Sequence, residues 1–149
     1  YESVQAGEAF ARGEVAMMVN WFGFAAVCEV SESSKVKGKV DVAGLPKAGN
    51  GEACSLNVYW MYAVGTGSKH QDIALAFVKY ATQAQQDKLL TLEGGIGCRK
   101  STWQDADVNR IIPYYHKLEE LHKHAKTLPQ SKHWSAIANL IDELVVKAC

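Results

Sequence analysis

The stretch Ala9 to Phe22, AFARGEVAMMVNWF, constrains the fold more than any other part of this sequence. Its start reads as the end of a helix. Val4, Ala9 and Phe10 share one apolar face, and Gly13 stands where a helix can stop in a left-handed conformation. Five apolar residues follow, Val15-Ala16-Met17-Met18-Val19. Their number suits a strand, and their unbroken apolar character predicts one buried on both faces. The run ends at Asn20-Trp21-Phe22-Gly23, so an amide, two large rings and a glycine lie where a buried strand would emerge. In open α/β sheets, ligands bind at the carboxyl ends of strands.

The chain of 149 residues, 48% hydrophobic, is large enough for one ordinary domain with a sizeable core. Its 16 basic and 16 acidic side chains balance, which leaves no basic stripe for nucleic acid. The longest apolar runs are far short of a membrane span. Neither an initiator Met nor a signal peptide is present, and Tyr1 starts inside what reads as a helix. The expectation is therefore a fragment of a longer chain, in which absence of a signal says nothing about export. Cys28, Cys54, Cys98 and Cys149 lack metal-ligand spacing and allow three pairings. They read as free, mostly buried thiols, and the redox compartment is not readable from them.

Beyond Gly23, residues 24–28 read as a short helix broken by Ser31-Glu32-Ser33-Ser34. Val40-Asp41-Val42-Ala43 alternates and reads as a second strand. Leu56 to Val64 reads as a third, with Leu56, Val58, Trp60, Tyr62 and Val64 on one face. Ser68 with Gln71 predicts a capping box. Ile73, Ala74, Phe77, Val78 and Ala81 form the stripe of the helix that follows, which runs on to Leu92 with or without a break near residues 83–86. Gly94 supplies a left-handed cap. Asp105 is expected to cap a long helix reaching Leu128, with Pro113 kinking it or sitting near its first turn. Trp134 opens a last helix carrying Ile137, Leu140, Ile141, Leu144 and Val145.

Several of these blocks resemble, in order, extracellular solute-binding proteins of family 1, the sugar-binding receptors of ABC importers. They are "G-E-V-A-M" followed by "N-W", "GKVDVAGLP", the Trp60 strand, "SKHQDIALAFVKYAT", Arg99 with Ser101, and the tryptophan heading the final helix. The family's "GGW" strand has Val58 and Tyr59 in place of its glycines here, and Gly97 stands where the family usually has proline. The resemblance implies an α/β fold of the type 2 periplasmic-binding-protein kind. This segment would be mainly the C-terminal lobe, helix-rich with a small mixed sheet. Residues 1–48 and 94–149 would belong to that lobe, and 49–93 would normally lie in the N-terminal lobe. Part of a lobe would then be missing, so exposed apolar surface and a homodimer, a swapped arrangement or a rearranged helix are expected. The resemblance also implies an extracytoplasmic location, periplasmic or cell-surface, with a sugar or oligosaccharide as ligand and ABC permease subunits as partners. It implies no catalysis and no cofactor.

Sugar recognition needs flat rings for the C–H face of a pyranose and planar polar groups for its hydroxyls. The candidates are Asn20 with Trp21; Asn57 with Tyr59 and Trp60; Arg99, which offers a five-donor fork; and Trp134. Trp103 reads as a packing residue. Two other classes stand beside this one. A thiol- or metal-dependent enzyme would use Cys98 and the histidines His116, His122, His124 and His133, although no two of these have ligand spacing. A helical protein-interaction module would rest on the expected 105–128 helix.

Overall fold

A computed structural model describes residues 2–148. The chain forms helices α1 (Ser3–Ala11), α2 (Phe22–Val30), α3 (Gln71–Ala81), α4 (Ala84–Leu92), α5 (Lys100–Trp103), α6 (Ala106–Ile111), α7 (Leu118–His122) and α8 (Trp134–Ala148). Two short strands, β1 (Ser55–Leu56) and β2 (Ala125–Lys126), pair in parallel. The sheet is thus parallel and two-stranded rather than mixed.

α1 stops where expected. Gly13 takes a φ of 76°, and its amide bonds back to the Phe10 carbonyl at 2.9 Å. The apolar run that follows is not a strand. Residues 15–19 form no regular element, with a bend at Ala16 and with Met17 87% and Val19 75% exposed. An apolar run becomes a buried strand only beside a partner that takes up its amides and carbonyls. Among the described residues, none pairs with it. The second predicted strand also fails to form a ladder, yet its alternation survives. Val40 and Val42 pack on the core, while Asp41 points outward to Lys117 at 2.6 Å. Of the third, only Leu56 lies in a strand, paired together with Ser55 before it, and Asn57 to Val64 forms no regular element.

α3 and α4 are separate helices, divided at Thr82-Gln83. The predicted capping box is replaced by a looser arrangement. His70 is the N-cap residue, the Ser68 hydroxyl accepts from its amide, and the Gln71 side chain donates to the Thr66 carbonyl. Gly94, at φ 92°, ends the α4 segment as expected. Asp105 does cap a helix: its carboxylate accepts from the amides of Asp107 and Val108. That helix nevertheless ends at Ile111 instead of running to Leu128. Pro113 drives Ile112 out of the helical region, to φ −120° and ψ 85°. A 3-10 turn (Tyr115–Lys117), α7 and β2 take up the rest of the expected span. α8 forms as read.

The core lies under α2 and α6. Ala25, Ala26, Trp103, Val108, Ile112, Tyr114 and Tyr115 are buried together, with Phe22, Val30 and Leu92 packed against them. Phe22 meets Tyr115 edge-on at 5.4 Å. The Tyr114 hydroxyl donates to the Ala25 carbonyl at 2.6 Å. Beside it the buried Glu29 carboxylate accepts from the Gly38 amide at 2.8 Å, tying the 35–39 connection to α2. By contrast, α3 and α8 bury no residue, and their apolar stripes face outward: Phe77 is 60% exposed and Leu144 65%. Among the described residues no helix is long and apolar enough to cross a membrane. Of the described cysteines, Cys28 is buried while Cys54 and Cys98 are exposed, so "mostly buried" does not hold; all three are free, and Cys149 lies outside the described residues.

Candidate functional site

The junction between the apolar run and α2 is built by Asn20. Its amide nitrogen donates to the Ser3 carbonyl at 2.8 Å, and its oxygen accepts from the Trp21 amide at 2.8 Å. Both ends of the side chain are thereby used to fix where Trp21 stands, at the entrance of α2. Trp21 is 44% exposed.

Trp21, Phe24 and Val27, successive along one side of α2, form one wall of a shallow pocket of about 310 Å3. The loop Gly94-Gly95-Ile96 forms its floor, and Trp60, from the 57–64 segment, borders it. Trp60 is 99% exposed, a position that core packing does not account for. The floor approaches closely because of its glycines. A methyl group on Gly95 would come 2.7 Å from Leu90 Cγ, and one on Gly23 would come 2.8 Å from Ile96 Cδ1. Among the described residues no charged side chain lines this pocket. Two indoles over an apolar floor suit a neutral ligand that presents C–H surface.

Trp21 and Trp60, far apart in sequence, thus both border the same shallow hollow. The other sequence candidates lie elsewhere. The Arg99 guanidinium closes on the Thr82 carbonyl at 3.0 Å and 2.5 Å, capping the carboxyl end of α3. The Tyr59 hydroxyl lies 3.4 Å from His122 Nε2. Asn57 donates its backbone amide to the Lys126 carbonyl at the edge of the two-stranded sheet. Trp134 heads α8, half-buried, and does not line the pocket. Phe24, Val27 and Ile96 do not stand out in the sequence. Phe24 and Val27 do lie three residues apart on the helix that follows Trp21, and that spacing is the available signal.

A second hollow of about 300 Å3 lies between α4 and α5, lined by Gln85, Lys88, Ser101, Thr102 and Asp105. Its charges are engaged. Lys88 bridges Asp107 at 2.8 Å and Asp105 at 3.0 Å. The hydrogen bond from Lys88 holds both carboxyls below their ordinary range, and the bond from Asp107, then that from Asp105, holds the ammonium above its own. Partial desolvation, with the Asp87 carboxylate adding to it, pushes the thiol of the exposed Cys98 up, which is opposite to what a thiolate nucleophile needs. His122 sits against Tyr59 and Trp103, and His116 on Asn109. Among the described residues no three metal-ligating side chains come together.

The sequence profile of the family described as "Bacterial extracellular solute-binding protein" matches residues 3–88, more than half of the chain. The chain belongs to this family. A "Probable ABC transporter-binding protein" of Deinococcus radiodurans is 28% identical to this solute-binding protein over 130 residues, covering 87% of it and 31% of the relative. The solved structure described as "Maltose bound T. maritima MalE3" superposes with a TM-score of 0.83 at 23% identity, covering 96% of this chain and 37% of that one. That similarity establishes a type 2 periplasmic-binding-protein fold. This solute-binding protein spans about a third of the length of the relatives it matches.

Proposed function

We propose that this chain is part of the carbohydrate-binding component of an ABC importer, acting outside the cytoplasm, in the periplasm or at the cell surface, and without catalysis. The observation that carries the proposal is the Trp21–Trp60 pair over an uncharged apolar floor. Indole faces stack on the C–H face of a pyranose, and an uncharged wall imposes no desolvation cost on a neutral sugar. The maltose bound by the structural relative supports the same class of ligand. Trp21 and Trp60 stack on the sugar in this proposal. Asn20 acts by placing Trp21, and Asn57, Tyr59, Arg99 and Trp134, which lie outside this pocket, are further candidates for contact with the sugar. In this reading residues 1–48 and 94–149 belong mainly to one lobe and 49–93 crosses toward the other, with α4 at the end of that segment returning to pack Leu92 on the core. Closure of the two lobes over the sugar gives the form handed to the permease. The open apolar stripes of α3 and α8 support a further cover on this chain, in the form of a second copy or a swapped arrangement.

The test is calorimetric titration with maltose and a panel of neutral mono- and oligosaccharides, on the protein as its gene encodes it. Trp21→Ala and Trp60→Ala should each weaken binding by more than about 1 kcal/mol, the scale of a lost aromatic contact. Affinity unchanged in both variants would remove the pair from the site, and no heat with any sugar of the panel would remove the ligand class. Light scattering of the chain at micromolar concentration addresses the dimer, and a monomer that binds no apolar dye would refute it.

A further inference from the structure

We propose that Asp87 is a positioning residue for the pocket, fixing its floor from α4 without touching the ligand; its link to affinity rests on the sugar-binding reading above. The Gly94–Arg99 loop turns sharply between the pocket and α5, and its polar groups are claimed by side chains from other elements. Asp87 Oδ1 accepts from the Cys98 amide at 2.9 Å. Asp87 Oδ2 accepts from the Arg99 amide at 3.3 Å and from the Thr102 hydroxyl at 2.5 Å. One carboxylate thus receives three donors from the stretch between Cys98 and Thr102. It ties the approach to α5, and the Thr102 side chain within α5, to α4. Gly97 is held from the far side, where its amide donates to the Tyr115 hydroxyl at 2.9 Å and its carbonyl accepts from the Trp103 indole at 2.7 Å.

The fit around the clamp leaves no room for drift. A methyl group on Gly97 would stand 2.5 Å from Thr91 Oγ1 and 2.6 Å from Asp87 Oδ2. Ile96 lies between this clamp and the ligand side. Its backbone is continuous with the held residues, while its side chain presses on Gly23 beside Trp21. The position of Ile96 is thereby set by Asp87. Only an anion can serve all three donors. An asparagine in the same place would turn an NH2 group against an N–H or O–H donor, so Asp87→Asn disrupts the clamp at nearly constant volume.

The experiment compares wild type, Asp87→Asn and the control Asp107→Asn, whose carboxylate sits near the same helix but bonds Lys88 outside the clamp. Without ligand, Asp87→Asn should lower hydrogen-exchange protection of the Gly97, Cys98 and Arg99 amides at least tenfold. It should also shift the Ile96 δ1 methyl resonance, which senses the neighbouring rings. Asp107→Asn should change neither. With maltose as the probe, Asp87→Asn should raise Kd about tenfold. Thr102→Val, which removes a single donor, should give the same pattern at smaller amplitude and stands in if Asp87→Asn does not fold. Equal protection and an unmoved Ile96 methyl in both clamp variants would overturn the proposal, as would a loss of protection spread evenly over all helices. Absence of binding by wild type to maltose and to every other sugar of the panel would overturn the sugar reading alone, because the ligand-free measurements judge the clamp independently.

Discussion

Removing the hydroxyl of Tyr115 isolates the energy of one buried hydrogen bond. The Tyr115 side chain is fully buried, and its ring stacks edge-on with Phe22 at 5.4 Å. In Tyr115→Phe the ring and its packing remain, so little cavity cost arises. What disappears is the acceptor for the buried Gly97 amide, which is bonded at 2.9 Å, together with a longer contact of 3.5 Å to the Thr91 hydroxyl. Thr91 keeps its own bond to the Asp87 carbonyl at 2.9 Å and is not orphaned. The net loss is one buried N–H without a partner, which costs about 1–3 kcal/mol. At this chain length, each kcal/mol corresponds to roughly 2–4 °C in Tm. Urea unfolding followed by circular dichroism should show a lower midpoint at unchanged slope, because the area exposed on unfolding is unaltered. Hydrogen exchange at Gly97 should accelerate more than at the α8 amides. A midpoint equal to wild type, with Gly97 still protected, would refute the assignment of this bond as the loop's anchor.

Gly94→Ala should destabilise the fold by roughly 1–2 kcal/mol, because φ 92° disfavours a side chain and the added methyl would come 2.8 Å from Val30 Cγ2; thermal unfolding measures it. Trp60→Ala should leave stability within about 0.5 kcal/mol of wild type by the same assay, since its ring is 99% exposed, while weakening ligand binding as stated above. Burial raises the hydroxyls of both Tyr114 and Tyr115 above the ordinary tyrosine range. The unfolded chain therefore loses those protons first, and stability should be level below about pH 10 and fall as pH rises beyond it. A denaturant midpoint that rises between about pH 10 and 11.5 would contradict that sign. Lys88→Met should return the Asp107 carboxyl toward its ordinary range in an NMR titration, because the Lys88 ammonium is the main cause of its depression.

Local chemistry made much of the helical structure legible. Gly13 and Gly94 act as stops because their left-handed φ is a property of glycine itself, and Asp105 caps because its carboxylate reaches amides only two and three residues ahead. The strands were not legible for the opposite reason. Whether an apolar run such as Val15–Val19 forms a ladder depends on a second segment elsewhere, and nothing within the run specifies one. Ser55-Leu56 does find a partner in Ala125-Lys126, about seventy positions on, where the sequence reads as helix. The 105–128 span reads as one helix because its apolar spacing runs through Pro113. The restriction that proline places on Ile112 outweighs that periodicity.

The pocket was half legible for a related reason. A ring beside an amide at the end of an apolar run marks Trp21 from sequence alone. Trp60 carries only its place in an alternating segment, and its 99% exposure is a fact of the fold. Arg99 carries a task that its residue type does not announce. Its fork suits a sugar hydroxyl, and in this structure the guanidinium closes on the Thr82 carbonyl where α3 ends. Asp87 does not stand out because an aspartate in the first turn of a helix already has a sufficient explanation in the helix dipole. Its second task follows from the three donors that the chain returns to it between Cys98 and Thr102, and a loop closing over ten residues leaves no periodic trace. Candidates for touching a ligand can be named from their chemistry, whereas residues that hold such candidates in place are found only from where the chain returns.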